Sequence, residues 1–295
     1  MIKLRGCGTA LVTPFLADGS VDEKALRSLV AWQVESGVDF LVPCGTTGET
    51  PTLSHAEWRM VIETTIEVAA GRLPIVAGAT SYSTAEAIAK VVEASEIKGV
   101  DAILSASPYY NKPTQEGQYQ HFKAIAEAAK IPIVLYNVPG RTGVNIEPAT
   151  LLRLSALPNI VAVKEASGRI SQIAEICGLL PTGFTVLSGD DALTLPVISV
   201  GGQGIISVAS NVFPKEMAEL TRAALNNDWT KARELYHKYL ALMQANFIES
   251  NPIPVKAVLA MMGRIEENYR LPMCKMQPAL RTKLESIARE CGVVK

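Results

Sequence analysis

The 295-residue sequence predicts an α/β chain, a parallel (β/α)8 or TIM barrel followed by a C-terminal helical appendage. Three observations carry that prediction. Short apolar, β-branched runs recur every 20–35 residues or so, stretches with helical spacing separate them, and the strand signals stop near Asn226. The expected strands are residues 8–12, 40–43, 74–77, 102–105, 133–136, 160–163, 185–187 and 204–208. Between them, residues 22–34 place Leu26, Leu29, Val30 and Val34 on one helical face, and residues 55–70, 84–97 and 115–129 repeat the device. Connections this long suit crossover helices, and continuous apolar strands suit a sheet buried on both faces. Eight such units in about 225 residues match a barrel, with a doubly wound open sheet as the competing fold. Residues 1–225 are therefore taken as the barrel and 226–295 as helices packed on it.

The appendage is expected over residues 229–246, 253–262 and 277–291, with Asn251-Pro252-Ile253-Pro254 opening the middle helix, where proline forfeits no intrahelical bond. The stretch 192–214 is uncharged and long enough to cross a bilayer, but Pro196, Gly201, Gly202, Gln203, Gly204 and Asn211 break it. A buried helix, a glycine turn and a buried strand are expected there, and no membrane association.

Charge and cysteine usage narrow the function classes. With 28 basic against 29 acidic side chains there is no footprint for nucleic acid. Cys7, Cys44, Cys177, Cys274 and Cys291 are odd in number and form no CxxC pair, which fits reduced thiols in the cytoplasm. Met1-Ile2-Lys3-Leu4-Arg5 has no apolar stretch behind it, so a secretory signal is not expected there.

In a barrel of this kind the chemistry sits at the C-terminal strand ends. The sixth strand runs apolar until Lys164, which period-two alternation puts on one face with Ile160 and Ala162. A desolvated lysine there offers a neutral amine for Schiff-base chemistry; the alternative is a lysine that snorkels to the rim and pairs with Glu165 or Glu49. The fifth strand ends in Tyr136, a proton-transfer group or a core tyrosine, and leads to Arg141, a fork for carboxylate or a surface residue. After the second strand, Gly45-Thr46-Thr47-Gly48-Glu49 offers hydroxyls and amides suited to a carboxylate, and is no Walker loop. Tyr109-Tyr110 suits interface packing. His55, His121 and His237 are far apart with no HxH or HExxH, and no GxGxxG follows the first strand, so neither a metal nor a dinucleotide is expected. Asp190-Asp191 resembles a metal pair, but a helix cap is preferred.

Together with Tyr109-Tyr110-Asn111, Tyr136-Asn137-Val138-Pro139-Gly140-Arg141-Thr142-Gly143, Val163-Lys164-Glu165, Ser188-Gly189-Asp190-Asp191 and Asn251-Pro252-Ile253-Pro254-Val255-Lys256, the Gly45 to Glu49 turn resembles the 4-hydroxy-tetrahydrodipicolinate synthase (dihydrodipicolinate synthase) family. The resemblance runs from Gly8 to the C-terminal helices. It implies condensation of pyruvate with L-aspartate 4-semialdehyde in the lysine and diaminopimelate pathway, without a cofactor. It assigns the Schiff base to Lys164, acid/base work to Tyr136, its relay to Thr46 and to Tyr110 reaching into a neighbouring subunit, pyruvate carboxylate binding to Thr47 and the Ile206 backbone, and semialdehyde recognition to Arg141. It further implies a homotetramer built from two dimers.

N-acetylneuraminate lyase and 2-keto-3-deoxy sugar-acid aldolases of the same superfamily share the lysine and tyrosine. Arg141 favours the synthase, since a small anionic aldehyde needs a cationic partner. A non-catalytic ligand-binding barrel is the reading from another class, and the full set of strand-end residues tells against it. The family's allosteric lysine site falls on His55, Glu86 and Tyr109, while Trp58 and Tyr82 replace the histidine and asparagine of many bacterial members, so weak or no inhibition by lysine is expected.

Overall fold

The computed structural model describes residue 2 and residues 4–295; Met1 and Lys3 of the N-terminal segment lie outside the described residues. The chain alternates β1 (Gly6–Ala10), α1 (Glu23–Glu35), β2 (Phe40–Val42), α2 (His55–Ala69), β3 (Val76–Gly78), α3 (Thr84–Glu96), β4 (Ala102–Ala106) and α4 (Gln115–Ala128). It continues through β5 (Ile133–Asn137), a single turn α5 (Pro139–Thr142), α6 (Pro148–Ser155), β6 (Ile160–Glu165), α7 (Ile170–Leu179), β7 (Thr185–Ser188), α8 (Thr194–Ser199) and β8 (Gly204–Ser207). Helices α9 (Pro214–Leu225), α10 (Trp229–Ala245), α11 (Ile253–Met261) and α12 (Pro278–Glu290) complete it.

All strand pairings are parallel, in the order β2-β1-β8-β7-β6-β5-β4-β3. The ring closes between β2 and β3 through the Leu41 to Ile75 bridge and a bond from the Gly78 amide to the Pro43 carbonyl at 3.0 Å. That closure decides for the barrel over the open sheet. Strand limits differ from the sequence expectation by up to two residues. The first strand starts and ends two residues earlier, because the Val12 amide leaves the ladder and donates to the Asn211 side chain at 3.1 Å. The last one stops at Ser207, because the next two amides donate to Asp191.

Helix starts follow from capping side chains. Asp22, Ser83, Thr114 and Asp228 each accept a first-turn amide, and Ser54 with Glu57 forms a full capping box on α2. The stretch that broke the membrane pattern does hold a buried helix, a glycine turn and a buried strand, namely α8, Gly201-Gly202 and β8. No helix among the described residues is long and apolar enough to cross a membrane.

Three apolar clusters organise the interior. One fills the barrel with Ala10, Phe40, Val42, Leu104, Val134, Ala162, Leu187 and Ile206. A second lies between the sheet and the helices around β2 to β7; Leu26 and Val30 of α1 are fully buried there, each contributing about 1.5–3 kcal/mol of burial. A third joins Cys7 of β1 and Ile205 of β8 to Leu242, Val255 and Leu284. The C-terminal helices thus share a core with the barrel.

Candidate active site

The reactive end of the barrel is built around β6. Its pairing with β5 slips by one residue, Ile133 opposite Ile160 but Val134 opposite Ala162, which leaves Val161 as an extra residue. The expected shared face of Ile160, Ala162 and Lys164 is therefore corrected. Ile160 packs outward among the helices, whereas Ala162 packs into the barrel, and Lys164 follows it two residues on.

Lys164 is 4 % exposed, and its amine lies 4.3 Å from the centre of the Tyr136 ring. Burial lowers its pKa to about 8; Asp191 pulls it back upward and Arg141 pushes it further down. It does not pair with either expected carboxylate. Glu165 accepts from Asn137 Nδ2 at 2.9 Å and from the Ser167 amide at 2.7 Å, and Glu49 is bound to Lys256. The lysine stem packs on Gly189, where an added Cβ would sit 3.1 Å from Lys164 Cε and Cγ and 2.8 Å from Ala166 Cβ.

Tyr136 is a buried phenol at the tip of β5. Burial pushes its pKa up to about 12, an effect opposed by Arg141 and by the Thr46 hydroxyl. Thr46 and Thr47 sit on a 3-10 turn after β2, and Thr47 Oγ1 accepts from Asn251 Nδ2 at 3.0 Å. Arg141 is exposed on α5, a turn that Pro139 starts and Gly143 ends at φ +75°. Its Nη2 donates to the Asn251 carbonyl at 3.1 Å.

These residues enclose a cavity of about 420 Å³, lined by Thr46, Thr47, Tyr136, Arg141, Lys164, Gly189, Asp190, Val208 and Asn251. A second cavity of about 230 Å³ shares Thr46, Tyr136 and Arg141 with it and extends to Lys90 and Tyr109. A phenol able to transfer a proton, a nucleophilic amine and a guanidinium thus meet in one cleft, an arrangement fitted to carbonyl condensation.

The other expected residues are distributed as follows. Ile206 lies in β8 within the barrel-filling cluster. Tyr110 is 89 % exposed on the loop after β4, at φ 72°, and does not reach the cleft of its own chain. Tyr109 packs edge-on to Tyr82, ring centres 5.3 Å apart, and Glu86 is close enough to raise its pKa together with burial and Tyr82. His55 is exposed at the start of α2, with Nε2 2.7 Å from Glu93 of α3. Asp190 caps a short turn by accepting from the Ala192 amide at 2.9 Å, as preferred over a metal pair. Asp191 is buried and accepts from Ser207 Oγ at 2.5 Å and from the Val208 and Ala209 amides at 3.1 and 3.0 Å, tying β7 to β8; burial raises its pKa to about 6. Asn251, anticipated as a helix start and as part of the resemblance but given no role in the site, and Val208, given none, also line the cleft.

Residues 3–291 match the dihydrodipicolinate synthetase family. The chain is 71 % identical over 294 residues to a 4-hydroxy-tetrahydrodipicolinate synthase of Koribacter versatilis, covering 100 % of this chain and 98 % of that one. It is 58 % identical to the protein of the same name from Acidobacterium capsulatum, covering 99 % and 97 %. Among solved structures, the chloride-inhibited dihydrodipicolinate synthase from Acinetobacter baumannii complexed with pyruvate superposes with a TM-score of 0.97 at 44 % identity, covering 99 % of this chain and 100 % of that one.

Proposed function

This chain belongs to the dihydrodipicolinate synthetase family, and from that premise we infer that it condenses pyruvate with L-aspartate 4-semialdehyde to 4-hydroxy-tetrahydrodipicolinate. The observation that carries the inference is a buried lysine amine with no carboxylate partner, beside a buried phenol, in a cleft that also holds a guanidinium. With a pKa of about 8, roughly a tenth of Lys164 is neutral at pH 7, against about 0.03 % for an ordinary lysine.

The neutral amine adds to the ketone carbon of pyruvate, and the carbinolamine oxygen leaves as water once protonated. At a pKa of about 12 Tyr136 is a phenol at neutral pH, so it first gives a proton to that oxygen rather than taking one. Thr46 relays the proton, and Thr47 with the Ile206 backbone holds the pyruvate carboxylate. The iminium then draws electrons from the methyl group, whose proton passes to the Tyr136 phenolate left by the first transfer, and the enamine carbon bonds to the aldehyde carbon. The Tyr136 phenol returns that proton to the new alkoxide. The semialdehyde's own amine next attacks the iminium carbon, closes the ring and releases Lys164. Arg141 orients the semialdehyde carboxylate, which supports this substrate over a neutral polyol.

The exposed Tyr110 supports completion of the relay in a neighbouring subunit, and membership of the family supports a homotetrameric, cytoplasmic enzyme. Residues 1–225 form the catalytic barrel in this scheme and 226–295 its helical support. His55, Glu86 and Tyr109 correspond to the family's lysine site; Tyr82, packed edge-on against Tyr109 in place of a small amide, supports weak inhibition. Borohydride reduction in the presence of pyruvate tests the scheme: one pyruvate-derived adduct on Lys164 is expected, and an adduct on another lysine, or none, refutes it.

A further inference from the structure

We propose that the buried ion pair between Glu49 and Lys256 is a positioning device, by which α11 holds the Thr46-Thr47 turn in register with Lys164 and Tyr136. The inference rests on the roles given to those residues above.

Glu49 joins two 3-10 turns, Thr46–Gly48 and Thr50–Thr52, at φ 52° and ψ 32°. That left-handed conformation disfavours a residue with a Cβ, so something outside the turn must select it. The side chain supplies the selection. Glu49 Oε1 lies 2.6 Å from Lys256 Nζ, with the two residues 4 % and 0 % exposed. The ammonium sits 4.3 Å from the Phe15 ring centre and 5.1 Å from that of Tyr269, which fixes its place from two sides.

A buried ion pair adds little stability over apolar residues of the same size, because desolvation offsets most of the attraction. What it does supply is a defined position. Five residues before Lys256, Asn251 donates to Thr47 Oγ1 at 3.0 Å. One short C-terminal segment therefore grips the turn twice, from the cleft side at Thr47 and from behind at Glu49. Other bonds also reach this segment: Thr13 Oγ1 donates to the Gly48 carbonyl at 2.7 Å, Thr50 Oγ1 to the Gly45 carbonyl at 2.9 Å, and the Arg270 amide to Glu49 Oε2 at 3.4 Å. The first two bonds hold the ends of the Thr46–Gly48 turn, and the ion pair fixes the Glu49 junction that follows it.

The test is a double-mutant cycle on the full-length enzyme. Glu49→Gln/Lys256→Met removes both charges with little change of volume. We expect this variant to fold, to lose at least tenfold in kcat and to raise the pyruvate KM several-fold. Thr46→Val, costly in the native background, is then expected to cost less than threefold more when added to it, because Thr46 is already out of place. A merely structural pair predicts instead that the two losses multiply, and that result overturns the proposal, as does a double variant within twofold of native kcat and KM. If the uncharged pair does not fold, Lys256→Arg, which keeps the charge and overfills the aromatic cage, carries the same cycle with the same two outcomes. Borohydride trapping on the native enzyme separates the two levels. Absence of a pyruvate adduct on Lys164 brings down the functional scheme and this inference with it, whereas a normal adduct with multiplying losses brings down this inference alone.

Discussion

Moving the pH across the titration of Lys164 is expected to switch imine formation on within a window that the barrel interior sets. Burial lowers the amine to about 8, so it is about 1 % neutral at pH 6 and about 90 % neutral at pH 9. The initial rate of pyruvate-dependent labelling, trapped with cyanoborohydride and read by intact mass, should therefore rise roughly 90-fold over that range and level off near pH 9. An ordinary lysine at 10.5 behaves differently: its neutral fraction climbs roughly 1,000-fold over the same interval without a plateau. The shape of the curve decides between them, and it does so independently of the absolute rate. Asp191→Asn provides an internal check, since this carboxylate raises the lysine pKa and its removal should move the half-point to lower pH. A half-point above about 9.5, or a curve still rising at pH 10, would show that the amine is not desolvated as the fold implies.

Four further outcomes are expected. Tyr136→Phe should lower kcat by about 10²–10⁴ with the thermal midpoint little changed, as it removes a proton-transfer group and almost no volume; steady-state turnover near the native value would reassign the acid/base role. Arg141→Ala should raise the semialdehyde KM far more than the pyruvate KM and shift the trapping half-point to higher pH, because the guanidinium holds the amine's pKa down; loss of pyruvate binding with an unchanged semialdehyde KM contradicts this. Lysine should inhibit only at millimolar concentration or above, since Tyr82 stands in place of a small amide and losing one polar partner of a buried ligand costs roughly 1–3 kcal/mol; half-inhibition well below a millimolar in a coupled assay would show that Tyr82 leaves the site intact. His121 is buried, with Nδ1 2.9 Å from Thr84 Oγ1, and burial lowers its pKa to about 4. Its folded value lies below its unfolded one, so the stability it permits is complete above pH 6.5 and is lost as the pH falls towards 4; the urea midpoint should drop over that range, and drop less in His121→Phe.

Much of this was legible because it is local. Alternating apolar runs and their turn residues locate all eight strands in order, and Ser54 with Glu57 announces the start of α2 three residues at a time. Lys164 stands out because a cation ending an apolar run is conspicuous in one dimension. Asn251 and Lys256 do not stand out, since each looks like part of a helix that begins with prolines. Their partners, Thr47 and Glu49, lie 204 and 207 residues away, and only closure of the chain brings α11 against the turn after β2. His55 meets Glu93 across two helices, a pairing that no local pattern announces. Asp191 was weighed as half of a metal pair because two adjacent carboxylates invite it, although three donors from β8 and the residues after it already occupy the second one.

The supernumerary Val161 gives β6 a tolerance to changes of length. Above it, Lys164 pairs with Tyr136 on one side and Leu187 on the other; below it, Ile160 pairs with Ile133 in a different frame. A lineage that lost this residue would gain a regular ladder and keep the amine opposite Tyr136, whereas loss of a residue above it would turn the amine outward among the helices. The lower half of the strand can therefore change length without moving the amine, and the chemistry is inherited with the upper half alone.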